Sequence, residues 1–257
     1  MTSAPVLTAL KAFTEPRRRP GTVRPTGAEQ LVLPFEGEQL TVWHWRSSDA
    51  QADRRVLLVH GWEDDSELWT SWIAAYRARG VEVLSLDLPA HGHSTGGSTT
   101  PVQSGRAVAH VAAQFGPVNQ AIGHSMGSAA LLAAFWLGLR VEQSVHIAGP
   151  SVLTHMVQGA ARSAQLSEAD TGHFISAFER LIGGPTTDWD IGALRGGLRH
   201  PGLIAYDPAD RRVPATESAL LHAHWPESRL LPLEGTGHRR IVESERLLQA
   251  ALEAFPW

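Results

Sequence analysis

Between residues 119 and 137 a short apolar run ending in Ala121-Ile122 leads through Gly123-His124-Ser125-Met126-Gly127 into an Ala/Leu-rich segment that begins at Ser128. A serine spaced between glycines as G-x-S-x-G, with a strand before it and a helix after it, sits on a sharp strand-to-helix turn with its hydroxyl held proud of the backbone. The glycines are needed because a Cβ at either position collides with the neighbouring strand or helix. The run after Ser128 has strong helix propensity. Ser125 therefore stands at a helix N-terminus, where free backbone N–H groups favour negative charge. A glycine-bounded turn holding an ordinary serine is the plain alternative, and the flanking strand and helix decide against it.

A chain built around such a turn needs a sheet to carry it. Residues 29–35 and 39–46 alternate apolar and polar about Glu36-Gly37-Glu38 and predict a β-hairpin, with Trp43 and Trp45 packing on one face. Val56-Leu57-Leu58-Val59 is continuously apolar, as a strand covered on both sides is. Further strands are predicted over Val81–Leu86, up to Ser125, and at Gln143–Ile147, Leu203–Tyr206 and Arg229–Leu233. Helices are predicted at about Trp69–Arg79, Pro101–Phe115 and Glu243–Phe255. Strands alternating with helices imply an α/β fold, a mostly parallel, doubly wound sheet with helices on both faces.

The alternation breaks between residues 151 and 200. Two helical patterns follow one another there, one carrying Leu153 and Met156, the other Phe174 and Phe178 and opening at the capping sequence Ser167-Glu168-Ala169-Asp170. Helix-only sequence between two sheet strands reads as a lid on the sheet's carboxyl edge. The expected organisation is an N-terminal extension (1–28), a core (29–150 and 201–257) and a helical lid (151–200). In the extension, Arg17-Arg18-Arg19 lies among prolines and glycines and reads as a solvated basic turn, while Val6, Leu7, Leu10 and Phe13 have helical spacing.

Parallel sheets place ligand sites outside the carboxyl ends of their strands, and four loops leave such ends with unusual residues. In His60-Gly61-Trp62-Glu63-Asp64-Asp65, Gly61 permits a tight turn. The Trp62 N–H and the Met126 N–H then form a donor pair for an oxyanion. His60 reads first as a histidine bonded to loop backbone and second as a pocket residue; the three acids read as solvated. In Asp87-Leu88-Pro89-Ala90-His91-Gly92-His93-Ser94 the histidines have a spacing open to a metal, but no patterned carboxylates or cysteine accompany them, so no metal is expected. After Tyr206, either Asp207 or Asp210 suits the task of holding a histidine in its working tautomer. His238, on the glycine-flexed Gly235-Thr236-Gly237 loop, is placed to reach back to a serine. Serine, acid, histidine is the chain order this arrangement takes.

Taken together, the His60-Gly61 loop with Trp69 downstream, Asp87-x-Pro-x-His-Gly-x-Ser94, the Gly123–Gly127 turn, Asp210-x-x-Val-Pro214 and Gly237-His238 make residues 29–257 resemble the α/β-hydrolase superfamily. The resemblance implies that Ser125 is a nucleophile, His238 its base and Asp210 the acid, because the family's acid usually lies three residues before the Val-Pro pair. Asp207 stands where many relatives have glycine. The first 28 residues have no counterpart in the family core. The implied activity is hydrolysis of a carboxylic ester of a small or medium acyl substrate, with no cofactor; Leu153, Met156, Phe174 and Phe178 of the lid read either as an apolar pocket for it or, equally, as packing between lid and core. Hydrolysis of a carbon–carbon bond in a β-diketone is the second reading; relatives of that kind often have an aromatic residue after the histidine, where this chain has Arg239. Ser125 argues against epoxide hydrolases and haloalkane dehalogenases, which carry aspartate at the turn. A non-catalytic binding protein on the same fold is the third reading, though the triad and turn glycines are intact.

Composition bounds the partners. A net charge of −4 over 257 residues gives no electrostatic reason to expect nucleic acid or an anionic membrane. There is no cysteine, hence no disulfide or thiol nucleophile. The N-terminal sequence lacks a basic stretch followed by a long apolar core, so a signal peptide is not expected and the location expected is cytoplasmic. The sequence leaves the oligomeric state open.

Overall fold

The computed structural model describes residues 3–18, 23–47 and 54–255. The alternating stretches pair as a hairpin: β1 (Glu29–Phe35) and β2 (Glu38–Trp45) run antiparallel, with Phe35 opposite Glu38. The turn residues Glu36 and Gly37 both take positive φ, 47° and 83°, as a two-residue hairpin turn requires. The chain then forms β3 (Arg55–Val59), β4 (Glu82–Asp87), β5 (Gln120–His124), β6 (Gln143–Ile147), β7 (Gly202–Tyr206) and β8 (Ser228–Pro232). Among the described residues the sheet has eight strands in the order β1-β2-β4-β3-β5-β6-β7-β8. β2 meets β4 antiparallel, and the pairings from β4 to β8 are parallel. The chain moves outward from β3 to β4 and then returns past β3 to β5. This reversal opens a crevice at the carboxyl ends of the central strands.

Side chains on a strand point alternately to opposite faces, and β3 shows what this does. Val56 and Leu58 enter one core with Trp72 and Tyr76 of α2 (Thr70–Arg77) and Leu247 and Leu252 of α9 (Glu245–Glu253). Leu57 and Val59 enter the other with Val108 and Val111 of α3 (Pro101–Phe115) and Leu131 and Phe135 of α4 (Met126–Trp136). The helix expected from Trp69 starts earlier, as a single 3₁₀ turn over Ser66–Trp69. A long helix went unanticipated: α8 (Ala215–Ala223) buries Glu217, Ser218 and Leu221, so its inward face is mostly polar and gives no apolar period.

Between β6 and β7 the described residues form no strand. They form α5 (Leu153–Ser163), α6 (Glu168–Ile182) and the short α7 (Ile191–Leu194). Ser167 caps α6 by accepting the Asp170 N–H, and Gly183 ends it in the left-handed region at φ 82°. Phe174 and Phe178 are fully buried between α5, α6 and the N-terminal helix α1 (Ala4–Thr14). The Phe13 ring meets them edge-on, with centroids 6.1 and 5.2 Å away.

Arg17 and Arg18 are exposed, as a solvated turn has them, yet both are also tied to the body of the fold. Arg17 donates its backbone N–H and its guanidinium to Glu63, and Arg18 donates to the carbonyls of Gly92, Ser94 and Gly96 at 2.7–3.0 Å. Arg19 lies outside the described residues. Leu7, grouped by spacing with the packing residues, is 48% exposed, because Val6 and Ala9 take the inward face. Residues 3–18 thus fasten the helical insertion to two loops of the sheet's carboxyl edge. Truncating Phe178 to alanine empties the centre of the α1–α5–α6 cluster. Such a loss is expected to cost about 3–5 kcal/mol, read as a lowered urea midpoint, and a change within error would contradict this packing.

Candidate active site

Ser125 follows the last residue of β5 and precedes the first of α4, with φ 52° and ψ −120°. A positive φ is strained for a residue with a Cβ. The neighbouring glycines are what let the chain hold it. A Cβ on Gly123 would stand 2.7 Å from the Gly127 carbonyl, and one on Gly127 would stand 2.2 Å from the Val59 carbonyl oxygen. The Ser125 N–H donates to the Ile147 carbonyl at 2.9 Å, which pins the turn to β6.

His238 comes from the loop after β8 and reaches Ser125: Nε2 lies 2.9 Å from the serine Oγ, and Nδ1 lies 2.7 Å from Asp210 Oδ2. A carboxylate only accepts, so Nδ1 carries the proton and Nε2 is left to accept from the hydroxyl. Asp210 Oδ1 accepts the N–H groups of Arg212 and Val213, which fixes the carboxylate. Asp207, the other acid open to this place in the sequence, does not touch the imidazole. It accepts the Ala209 N–H at 2.9 Å and the Gly237 N–H at 2.6 Å. These backbone donors hold its carboxyl below the usual aspartate range.

Several contacts that were not legible in the sequence hold His238 in place. His124 Nε2 donates to the His238 carbonyl at 2.8 Å. Arg239 pairs with Asp64 at 2.5 Å, and Arg17 with Glu63, so the acids after Trp62 are bound rather than solvated. Asp65 is buried too, accepting the Glu67 N–H. One signal for such partners was present: acids and bases flank the site on adjoining loops.

The histidines of the loops after β3 and β4 are structural. His60 is fully buried, donates from Nδ1 to the Gly61 carbonyl and accepts the Leu88 N–H at Nε2, so it lines no pocket. His91 donates to the Pro89 carbonyl and packs edge-on against Trp62, whereas His93 approaches Asp87, so the two face different partners. Burial pushes Asp87 upward. His93, His60 and Ser66 outweigh that and hold it below the usual range.

A cleft of about 680 Å³ opens over Ser125 and His238, lined also by Trp62, Met126, Phe13 and Met156. Met126 begins α4, ahead of the helix's own hydrogen-bond ladder. Of the apolar residues expected to form a pocket, Met156 lines this cleft. Leu153, Phe174 and Phe178 do not: they pack within the insertion, where the apolar periodicity marked a core. Phe13 of the extension was missed because nothing local ties it to the site.

Residues 56–254 match the model of the "Alpha/beta hydrolase family". The chain belongs to the α/β-hydrolase family. No curated protein sequence matches this hydrolase. Solved structures share its fold. An esterase of Pyrococcus furiosus is 19% identical with a TM-score of 0.68, over 95% of this chain and 98% of that one. A thioesterase domain from the curacin biosynthetic pathway is 16% identical with a TM-score of 0.64, over 88% and 99%. An N-acyl homoserine lactone degrading enzyme is 15% identical with a TM-score of 0.65, over 88% and 100%. Among the described residues no helix is long and apolar enough to cross a membrane.

Three buried histidines of the hydrolase are held neutral. Burial lowers His124 and His146 to about 3, and His91 likewise. Below the ordinary imidazole value of about 6.5 the unfolded chain takes up protons that the native chain does not. Stability is therefore complete above that value and is lost as pH falls toward 3. At pH 5 the loss is on the order of 2 kcal/mol for each fully shifted group. The urea midpoint is expected to fall clearly between pH 7 and pH 5; equal midpoints would contradict neutral burial.

Proposed function

We propose that this hydrolase cleaves carboxylic esters of small or medium acyl substrates through an acyl-enzyme. The observation that carries the reading is the hydrogen-bonded chain from Ser125 Oγ through His238 to Asp210 at the wall of an open cleft. In this reading His238 Nε2 takes the Ser125 proton as Oγ bonds to the ester carbonyl carbon, and Asp210 stabilises the imidazolium. The carbonyl oxygen, now an anion, is held by the N–H groups of Trp62 and Met126. His238 returns the proton to the departing alcohol. Water, deprotonated by the same histidine, then releases the acid and restores the serine.

The positive φ of Ser125 supports the nucleophile role, since strain of this kind is kept where geometry is functional. The esterase, thioesterase and lactone-degrading neighbours all share the fold, and this supports acyl transfer as the reaction class. In the same reading residues 29–150 and 201–257 form the catalytic core, residues 151–200 act as a lid and residues 1–28 are an added extension. The absence of cysteine fits a reducing compartment, and we place the enzyme in the cytoplasm.

Ser125→Ala is expected to lower turnover of a short p-nitrophenyl ester at least about 10⁴-fold with the urea midpoint retained. A fluorophosphonate is expected to label the wild-type protein stoichiometrically and the variant not at all. Undiminished turnover or labelling in the variant would refute the assignment.

A further inference from the structure

The cleft is not electrically neutral, and its shape is not what packing alone requires. Along one side runs the face of α5 made by Met156, Gly159, Ala160 and Ser163, positions that share one side of a helix. From Met156 to Ser163 this wall extends about 10 Å. A glycine in the middle of a helix is destabilising relative to alanine, so its presence needs a cause. At Gly105 the cause is packing, because a Cβ there would lie 2.4 Å from the Ala133 Cβ. At Gly159, as at Gly172 of α6, packing gives none, but Gly159 lines the cleft, and the one heavy atom within 4 Å of an added Cβ there is Arg162 Nη2, at 3.9 Å. The space above Gly159 is open and faces a guanidinium.

A second arginine, Arg212, lines the same cleft. Arg212 follows Asp210 by two residues, and its backbone N–H is held by that carboxylate at 2.8 Å. The ion pairs of the described residues use Arg17, Arg46, Arg55, Arg106 and Arg239, and neither Arg162 nor Arg212. The carboxylate lining the cleft, Glu217, is already engaged. Its Oε2 accepts from the Ser151 N–H, the Ser151 hydroxyl and the Val152 N–H, and its Oε1 lies 2.6 Å from His155 Nδ1. A cation in the last turn of α5 suits the helix dipole, but the dipole does not account for a glycine beneath it or for a second arginine on another element.

We propose that the substrate carries an anionic group, a carboxylate or a phosphate, apart from its scissile carbonyl, and that Arg162 and Arg212 bind this group while the chain between lies over Gly159. The proposal rests on the ester-hydrolase reading for the reaction but not for the binding. Guanidinium groups suit both anions, since their forked donors match the oxygens of each.

Binding to the Ser125→Ala protein tests it without turnover. Calorimetric titration compares monomethyl adipate, an anion, with the neutral dimethyl adipate. We expect the monoester to bind about tenfold more tightly at low salt, with the advantage shrinking at high salt as the charges are screened. In Arg162→Gln/Arg212→Gln on the same background the advantage is expected to vanish. Equal binding of the two esters, an advantage that persists in the double variant, or no saturable binding of either overturns the proposal. A parallel titration with the phosphate monoester of methyl hydroxyhexanoate tells the two anions apart: the tighter ligand names the group. Failure of this site leaves labelling of Ser125 by a fluorophosphonate untouched. Failure of labelling strikes the ester reading and leaves the binding result standing.

Discussion

The first turn of α4 lies against the carboxyl ends of β3 and β5 at a distance that only hydrogen-substituted Cα atoms allow. Gly127 meets the carbonyls of Val59 and His60, and Gly123 meets Gly127 itself. This contact forces the chain to reverse within one residue, and that residue is Ser125, carried at positive φ. The strain is held by what lies on either side: a fully buried strand before it and a helix whose residues are almost all buried after it. Neither can shift without opening a core. The hydroxyl direction is therefore set by the buried strand and helix on either side of the turn.

The imidazole is placed differently. Its loop has two glycines at positive φ, Gly235 and Gly237, and the ring packs against His124, with centroids 5.1 Å apart. Position comes also from polar contacts made by several loops at once. Asp207 takes the N–H just before the histidine, His124 donates to the histidine's own carbonyl, and Arg239 just after it pairs with Asp64. The last two reach the segments on either side of the cleft: His124 precedes Ser125, and Asp64 follows Trp62 by two residues. The residues assigned to nucleophile, base and oxyanion donor are thus linked through the backbone of their neighbours. The N-terminal segment extends this linkage, because Arg17 holds Glu63 while Phe13 packs on the insertion.

Legibility followed the range of the forces involved. The strands of the parallel sheet were readable because burial on both faces writes a continuous apolar run, as at Val56–Val59. The helix α3 was readable over its full span because Thr100 and Pro101 start it and Gly116 ends it. The helix α8 was not, since its inward face carries Glu217 and Ser218 beside Leu221, and Glu217 is bound by Ser151, far away in sequence. The expected placing of Phe174 and Phe178 in the pocket failed for the same reason. Apolar periodicity in α6 reports that Phe174 and Phe178 are covered, but not what covers them, and the cover is α1.

By itself the sequence determined the alternation of strands and helices, the turn at Ser125 and the order of serine, acid and histidine, because glycine sterics and hydrophobic period act over a few residues. Tertiary structure alone bound the acids after Trp62, tied Asp207 to the backbone N–H just before His238, and made a wall of the cleft from a helix at the far end of the chain. Those outcomes depend on which loops meet at the sheet's edge, and a meeting between residues more than a hundred positions apart, such as 125 and 238, leaves no mark on either local pattern.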